Sequence, residues 1–364
     1  MKKLSFFILA ILCLSCSRST EVDDVKEFDF SFRIDTVFID AGDELIFHQI
    51  GLSHSDLSND QKRLFNFTPK SELEVIDLDS LKLLEKIALD KEGPLGTGWP
   101  YAIQVDQTGN LVFYGVEEVR FFSSDLSSMK RYQLTAEALS GLEPEKLSMF
   151  TPKIAEGDFL FSIYEDYEQV PKGLAIVSLE DMQVKKVPLD LADRIAPYTY
   201  TLGSERKIFE MINLEQADKS LILSTAYSNE ALILDLESDS VTVKTFHSEL
   251  TSDKKKIPNK TAAGTINEID DLMKEGKKGI TFGRFYFDKT HRKLVRFSQE
   301  MDREIGDSLV FKNVITVFDE NLNQLGEKLV PIDPFSKKFF KDGKLWSYVN
   351  VEDDLGFAVF TFDF

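Results

Sequence analysis

The chain has four histidines, His48, His54, His247 and His291. His48 and His54 stand six residues apart across an expected turn. That spacing is poor for two ligands of one metal on a strand or helix, and all four read as surface or hydrogen-bonded histidines. Both cysteines, Cys13 and Cys16, fall in the first sixteen residues, so the body offers no thiol nucleophile, disulfide or cysteine-based zinc site. Glu117-Glu118, Asp270-Asp271 and Glu352–Asp354 are acidic clusters. They have the residue types of a glycosidase acid and nucleophile or of Ca²⁺ ligands. None has the D-x-D-x-D-G spacing, and in a chain with 62 acidic residues such neighbours arise by chance. Ca²⁺ therefore has no motif behind it, no other cofactor is indicated, and no catalytic residue can be named.

Two groups have the chemistry of binding. Arg284, Arg292 and Arg296 share an expected hairpin with Tyr286, and clustered guanidiniums can hold a carboxylate or phosphate. The structural alternative is cross-strand pairing with local acids. Trp99 and Tyr101 flank Pro100, where two rings can stack on a sugar or simply pack the turn.

The elements that must position these residues are strands. Glu92 to Gly115 holds a Gly/Pro-rich turn, a strand from Tyr101 to Val105, a tight turn at Asp106–Asn110 and a second strand from Leu111 to Tyr114. Gly109 and Asn110 supply the positive φ that a hairpin turn requires. Looser copies follow as an apolar strand, an Asp/Ser-Leu turn and another apolar strand, at 73–89, 119–134, 174–189, 231–246 and 315–330. Taken as markers, Leu78, Leu126, Leu179 and Leu236 recur at roughly 50 residues, the period of a four-stranded propeller blade. A sandwich holds far fewer residues, so the expected fold is an all-β propeller of six blades, with seven as the alternative. Ring closure requires residues 28–50 to pair with 343–364. Glu44–Ile50 reads as a strand, and Thr135–Leu139 as a short helix. The clearest helix, Asn267–Lys274, lies in a lysine-rich insertion at 252–279, and insertions of this kind cluster on one face of a repeat protein, often the binding face. The 30 phenylalanines suit sheet-on-sheet packing, since Phe buries a large apolar area with no polar atom to satisfy.

Net charge is -19. An acidic surface repels phosphate backbones, so a nucleic-acid partner is not expected. At the N-terminus, Lys2 and Lys3 precede an apolar run from Leu4 to Leu14, too short to span a bilayer and of the length of a secretory signal. The run ends Leu-Cys-Leu-Ser-Cys16. A small residue before a cysteine at this place resembles a bacterial lipobox, although Cys13 stands where leucine is usual. The resemblance implies cleavage after residue 15 and diacylglycerol on Cys16, giving a membrane-anchored lipoprotein of the cell envelope, with the outer membrane favoured. Ordinary signal cleavage is the alternative. Residues 16–27 then form a polar tether, and 28–364 a single propeller domain.

The run Gly93–Pro100, followed by Ile103-Gln-Val-Asp106-Gln-Thr-Gly109-Asn110-Leu-Val, resembles the hairpin of NHL-like and TolB-like six-bladed propellers. With a lipobox ahead and a Phe-rich body, the whole chain resembles an uncharacterised family of propeller lipoproteins from Bacteroidota. The resemblance implies fold and location and carries no catalytic residue. Two functional classes follow. One is a non-enzymatic binding or scaffolding module with an envelope protein or glycan partner. The other is a hydrolase or lyase acting on a carbohydrate or lactone with channel carboxylates. Two or more channel carboxylates of raised pKa, or a bound metal, would favour the enzyme. A channel plugged by Phe and Leu would favour the binding module.

Overall fold

The computed structural model describes residues 30–148, 151, 154–203, 206–209, 212–306 and 308–364. The signal expected at 1–15, Cys16 and the tether expected at 16–27 lie outside the described residues. Strand β1 is Ser31–Phe38. A first meander is β2 (Ser55–Leu57), β3 (Arg63–Phe67), β4 (Glu72–Asp77) and β5 (Lys82–Ala88). A second is β6 (Ala102–Val105), β7 (Leu111–Gly115), β8 (Glu118–Phe122) and β9 (Met129–Gln133). In the third, β10 (Lys146–Leu147) and β11 (Ile154–Glu156) both pair with β12 (Phe159–Glu165), followed by β13 (Pro171–Ser178) and β14 (Val184–Pro188). A short helix α1 (Leu191–Ile195), absent from the sequence reading, leads to β15 (Tyr200–Leu202) and β16 (Arg206–Ile208). The fourth meander is β17 (Ile212–Ala217), β18 (Ser220–Thr225), β19 (Glu230–Asp235) and β20 (Val241–Thr245). Strand β21 (Ala262–Ala263) and helix α2 (Ile266–Gly276) come from the insertion, and β21 pairs in parallel with β15 to make a three-stranded side sheet. The fifth meander is β22 (Thr281–Asp288), β23 (Lys293–Ile305), β24 (Ser308–Asp319) and β25 (Gln324–Leu329). The last is β26 (Lys338–Lys341), β27 (Lys344–Val351) and β28 (Asp354–Asp363), completed by β1.

The closure expected from sequence is present. Strand β1 pairs antiparallel with β28 from Ser31↔Asp363 to Phe38↔Gly356, so the start of the fold supplies the outermost strand of its last sheet. The six largest apolar clusters trace the same ring, because each of them fills the gap between two consecutive sheets. Leu73 and Phe113 join the first sheet to the second, Val119 and Leu160 the second to the third, Ile163 and Leu223 the third to the fourth. Ile222 and Phe285 join the fourth to the fifth, Phe297 and Phe360 the fifth to the last, and Phe357 and Leu64 the last back to the first. Aromatic edges meet faces in these gaps, as for Phe67 and Phe113 at 5.2 Å and 85°. The fold is an all-β propeller.

Turn chemistry explains the repeated pattern. In the Asp106 hairpin the Asp106 carboxylate accepts hydrogen bonds from Thr108 N at 2.8 Å and Asn110 N at 2.9 Å, while Gly109 takes φ +86°. The outer turns reuse the device, with Asp77, Asp125, Asp235 and Asp319 each capping a backbone N–H two or three residues on. The turn leucines are not equivalent. Leu78 and Leu179 open their turns and are buried, whereas Leu126 occupies the left-handed position at φ 60°, which Leu81 and Met182 hold in the other two turns.

Two expected elements are absent. Glu44–Ile50 forms no strand, because side chains saturate its backbone: Phe47 N donates to the Glu74 carboxylate at 3.1 Å and Phe47 O accepts from Asn66 Nδ2 at 2.7 Å. Thr135–Leu139 makes an isolated turn and no helix. The helix at Asn267–Lys274 is present within α2. Thr265 caps it through Glu268 N at 3.3 Å, and Glu268 reaches back to Gly264 N at 2.9 Å, an arrangement close to a capping box. No helix among the described residues is long and apolar enough to cross a membrane.

Candidate functional site

The first strand of each meander faces the centre, and polar side chains link these strands round the channel. Asp56 accepts from Val105 N at 2.8 Å, and Gln104 accepts from Ala155 N at 3.0 Å. Arg284 Nη2 donates to Glu215 at 2.6 Å, and Lys337 Nζ donates to Ser55 O at 2.5 Å. Nearer one mouth a second belt runs from Asn59 to the Gln107 carbonyl, then from Gln107 to Glu156 at 2.6 Å, and from Gln216 to Glu156.

Two cavities meet at the channel centre. One, of about 460 Å³, is lined by Asp56, Glu215, Lys289, Lys337 and Phe340 among others. The other, of about 560 Å³, lies beneath α2 and is lined by Met273, Phe282, Phe311 and Phe335 among others. Strand β22 runs from one to the other. Thr281 and Gly283 line the larger cavity, Phe287 and Lys289 the smaller, and Arg284 and Tyr286 both. The Arg284–Glu215 pair thus stands between them.

The electrostatics follow from this position. Burial raises the Glu215 carboxyl above its ordinary range, with Arg284 pulling it down. Burial works against the Arg284 charge, but Glu215 and Tyr286 outweigh it and the guanidinium stays protonated. Burial pushes the Tyr286 phenol up to about 12 and lowers the Lys337 amine, with Asp56 opposing. Arg284 Nε is buried with no hydrogen-bond partner among the described residues.

Lys338 is buried and donates to Asp333 O at 2.7 Å, Ser336 O at 3.1 Å and Ser336 Oγ at 3.0 Å. Burial pushes its amine down to about 7, with Asp333 acting the other way. Between that value and the ordinary lysine value of 10.5 the unfolded chain binds more protons than the folded one, so stability rises with pH across this window. Below it both states are charged and the full burial penalty applies. Relative to Lys338→Met, wild type should gain stability from pH 7 towards 10.5, with a slope no steeper than about 1.4 kcal/mol per pH unit. Denaturant midpoints of the two proteins across that range provide the check.

The five residues singled out in sequence do not converge. Trp99 is exposed in the loop before β6, with Lys91 Nζ 4.2 Å from its ring centre. Tyr101 beside it is half-buried, and burial raises its phenol to about 12. The glycine-rich run before them wraps Arg120, which donates to Gly96 O and Glu118. Gly98, at φ +69°, leaves room for the guanidinium where a Cβ would come within 2.8 Å. Arg292 is exposed and pairs with Asp218 at 2.7 Å and with Glu320. Arg296 is buried between the fourth and fifth sheets. Only Arg284 reaches the channel. Its partner Glu215, and Asp56 and Lys337 that line the same cavity, went unnoticed in sequence. The available signal was the alternation Ile212-Asn-Leu-Glu-Gln-Ala217, whose apolar members are buried while Glu215 turns to the channel.

The histidines have local partners. His48 contacts Tyr348 Oη at 3.0 Å, His247 contacts Asp253 at 2.6 Å and His291 contacts the buried Asp288 at 2.6 Å; His54 is half-buried and its pKa is lowered by burial. Among the described residues no group of three His, Cys, Asp or Glu is placed to hold a metal ion. Glu118 pairs with Arg120 and Arg131, and Asp270, Asp271 and Glu352–Asp354 are exposed; none of the acidic clusters lines either central cavity.

A closed ring of antiparallel sheets round a central channel is the mark of a β-propeller. Within that class the chain belongs to DUF4221, a domain family of unknown function, whose model matches residues 27–329. It is similar to a crystal structure of a DUF4221 member from Bacteroides vulgatus, at 13% identity and a TM-score of 0.71 over 93% of this chain and 99% of that one. A protein of Bacteroides fragilis described as exported aligns at 10% identity and a TM-score of 0.53, covering 91% of this chain and 95% of that one. The WD40 repeats of RRP9 align at 8% identity and a TM-score of 0.46 over 91% of this chain and 97% of theirs. No curated protein matches the chain.

Proposed function

We propose that this protein is a non-enzymatic binding propeller of the cell envelope, with its ligand site at the channel centre. The observation that carries the reading is the Arg284–Glu215 pair between two cavities. It offers a cation with unused donors, and Glu215 is the one carboxyl of raised pKa among the residues lining those cavities. Glycoside hydrolysis by paired carboxylates needs two such groups in different protonation states. Asp56, the other carboxylate there, instead accepts a backbone hydrogen bond from Val105. We read the six meanders as six blades and the three-stranded sheet with α2 as an addition to one face.

The competing reading is a hydrolase or lyase on a carbohydrate or lactone, and Glu215 would be its catalytic carboxyl. A panel of aryl glycosides and lactones offered to wild type and Glu215→Gln separates the two. The binding reading expects no turnover above buffer from either protein, whereas turnover by wild type that Glu215→Gln abolishes would overturn it.

The envelope location rests on the lipobox-like run ending at Cys16. If Cys16 carries the lipid, Cys16→Ser should move the protein from the membrane to the soluble fraction without changing its melting temperature, because the apolar clusters of the described residues begin only at Phe30. Retention of the serine variant in membranes after an alkaline wash would contradict the anchor.

A further inference from the structure

The larger cavity joins the insertion to the channel. One wall is α2 with its C-cap, which contribute Met273 and Lys277 respectively. Another is the β23–β24 hairpin, which contributes Gln299 and Phe311. The two walls are tied together: Met301 N donates to Lys278 O at 3.2 Å, and Lys278 Nζ pairs with Glu304 at 2.8 Å and Glu275 at 2.9 Å. The cavity volume, about 560 Å³, is in the range of small-molecule sites.

Its chemistry is one-sided. The lining includes Phe209, Phe282, Phe311, Phe335 and Met273, and its charged members are Arg284, Lys255 and Lys277. Among the described residues that line it there is no Asp or Glu, in a chain where acids outnumber bases 62 to 43. Arg284 commits Nη2 to Glu215 and to Leu214 O, leaving Nε and Nη1 without partners among the described residues. A buried N–H without an acceptor calls for one, and a guanidinium meets a carboxylate with charge-assisted bonds.

We propose that this cavity binds a small amphipathic carboxylic acid, with the carboxylate at Arg284 and the apolar body against the phenylalanines and Met273. The proposal rests on the channel-binding reading and adds the ligand class and a role for the insertion as half of the site. The polar direction is set because Arg284 is the cation at the channel end, while Lys277, the C-cap residue after α2, is exposed and the buried Lys255 is already engaged.

Calorimetric titration of the full chain with sodium decanoate, below its micelle concentration, tests this against decanol and inorganic phosphate. Wild type should bind decanoate at least about tenfold more tightly than decanol, the discrimination expected of a charge-assisted hydrogen bond. Met273→Trp, which fills the cavity from α2, should weaken decanoate binding by about tenfold or more. The pair Arg284→Gln with Glu215→Gln removes both charges together and should bind decanoate and decanol alike. It keeps the test alive if the tryptophan variant fails to fold. Equal affinity of wild type for the two ligands, no decanoate binding, or a charge preference that survives in the double variant would overturn the proposal. Binding of phosphate without decanoate would also overturn it while leaving a channel site standing. Glu215-dependent turnover would instead overturn the non-enzymatic reading, whatever the titration shows.

Discussion

Replacing Arg296 by methionine should cost about 3–5 kcal/mol of folding stability, far more than the loss of any surface arginine. Arg296 is 2% exposed and bridges two sheets. Its Nε donates to Gly283 O at 3.0 Å, and its Nη2 to Thr225 O at 3.0 Å and Ser228 O at 3.4 Å. The guanidinium carbon lies 4.6 Å from the ring centre of Phe282 and 4.9 Å from that of Phe285. The cation itself is costly to bury, and burial pushes its pKa down to about 9. That penalty is fully present at pH 7, where folded and unfolded states are both charged. It eases only as pH rises from about 9 towards the ordinary arginine range. Methionine removes the penalty but leaves the backbone carbonyls behind, each worth about 1–3 kcal/mol when orphaned. The three orphaned carbonyls and the two lost ring contacts together are expected to outweigh the relief of that penalty. Lysine should rescue little, because it lacks the planar fork. Urea unfolding at pH 7 provides the check, and a loss under about 1 kcal/mol would show that the network can be replaced by simple packing.

The second large effect is expected at the ring closure. Deleting residues 30–38 from the body removes β1 and with it Phe30, Phe32 and Ile34 from the cluster packed on Phe360 and Phe362. The newly bare edge of β28 becomes a template for pairing with other chains. The expected result is loss of cooperative unfolding together with aggregation. The milder Phe30→Ala should cost about 3–5 kcal/mol, since Phe30 is 1% exposed. A soluble monomeric deletion protein with an unchanged melting curve would mean that the ring is held by its other gaps alone.

This closure was legible before the fold was seen, because the alternation of residues 28–39 and 356–364 is local and a ring must pair its ends. The insertion was legible for a similar reason: its lysine-rich composition and its helix break the repeat. Glu44–Ile50 misled because apolar alternation cannot reveal that Glu74 and Asn66, distant in sequence, take its backbone bonds. The extension of β23 and β24 beyond the other strands was missed for want of a matching copy elsewhere. The arginines show the limit most clearly. Arg284, Arg292 and Arg296 share one hairpin and look alike in sequence. Alternation, the turn and the neighbouring sheet send them to the channel, the rim and the sheet gap. Glu215 was invisible as a site residue because its partner lies in another sheet.

The central claim, that Arg284 and Glu215 anchor a ligand in the channel, is tested most directly by native mass spectrometry of the protein purified gently from the cells that make it. Wild type should carry a small organic acid, and the Arg284→Gln, Glu215→Gln double variant prepared in the same way should be empty. Two empty proteins, or the same adduct on both, would contradict it.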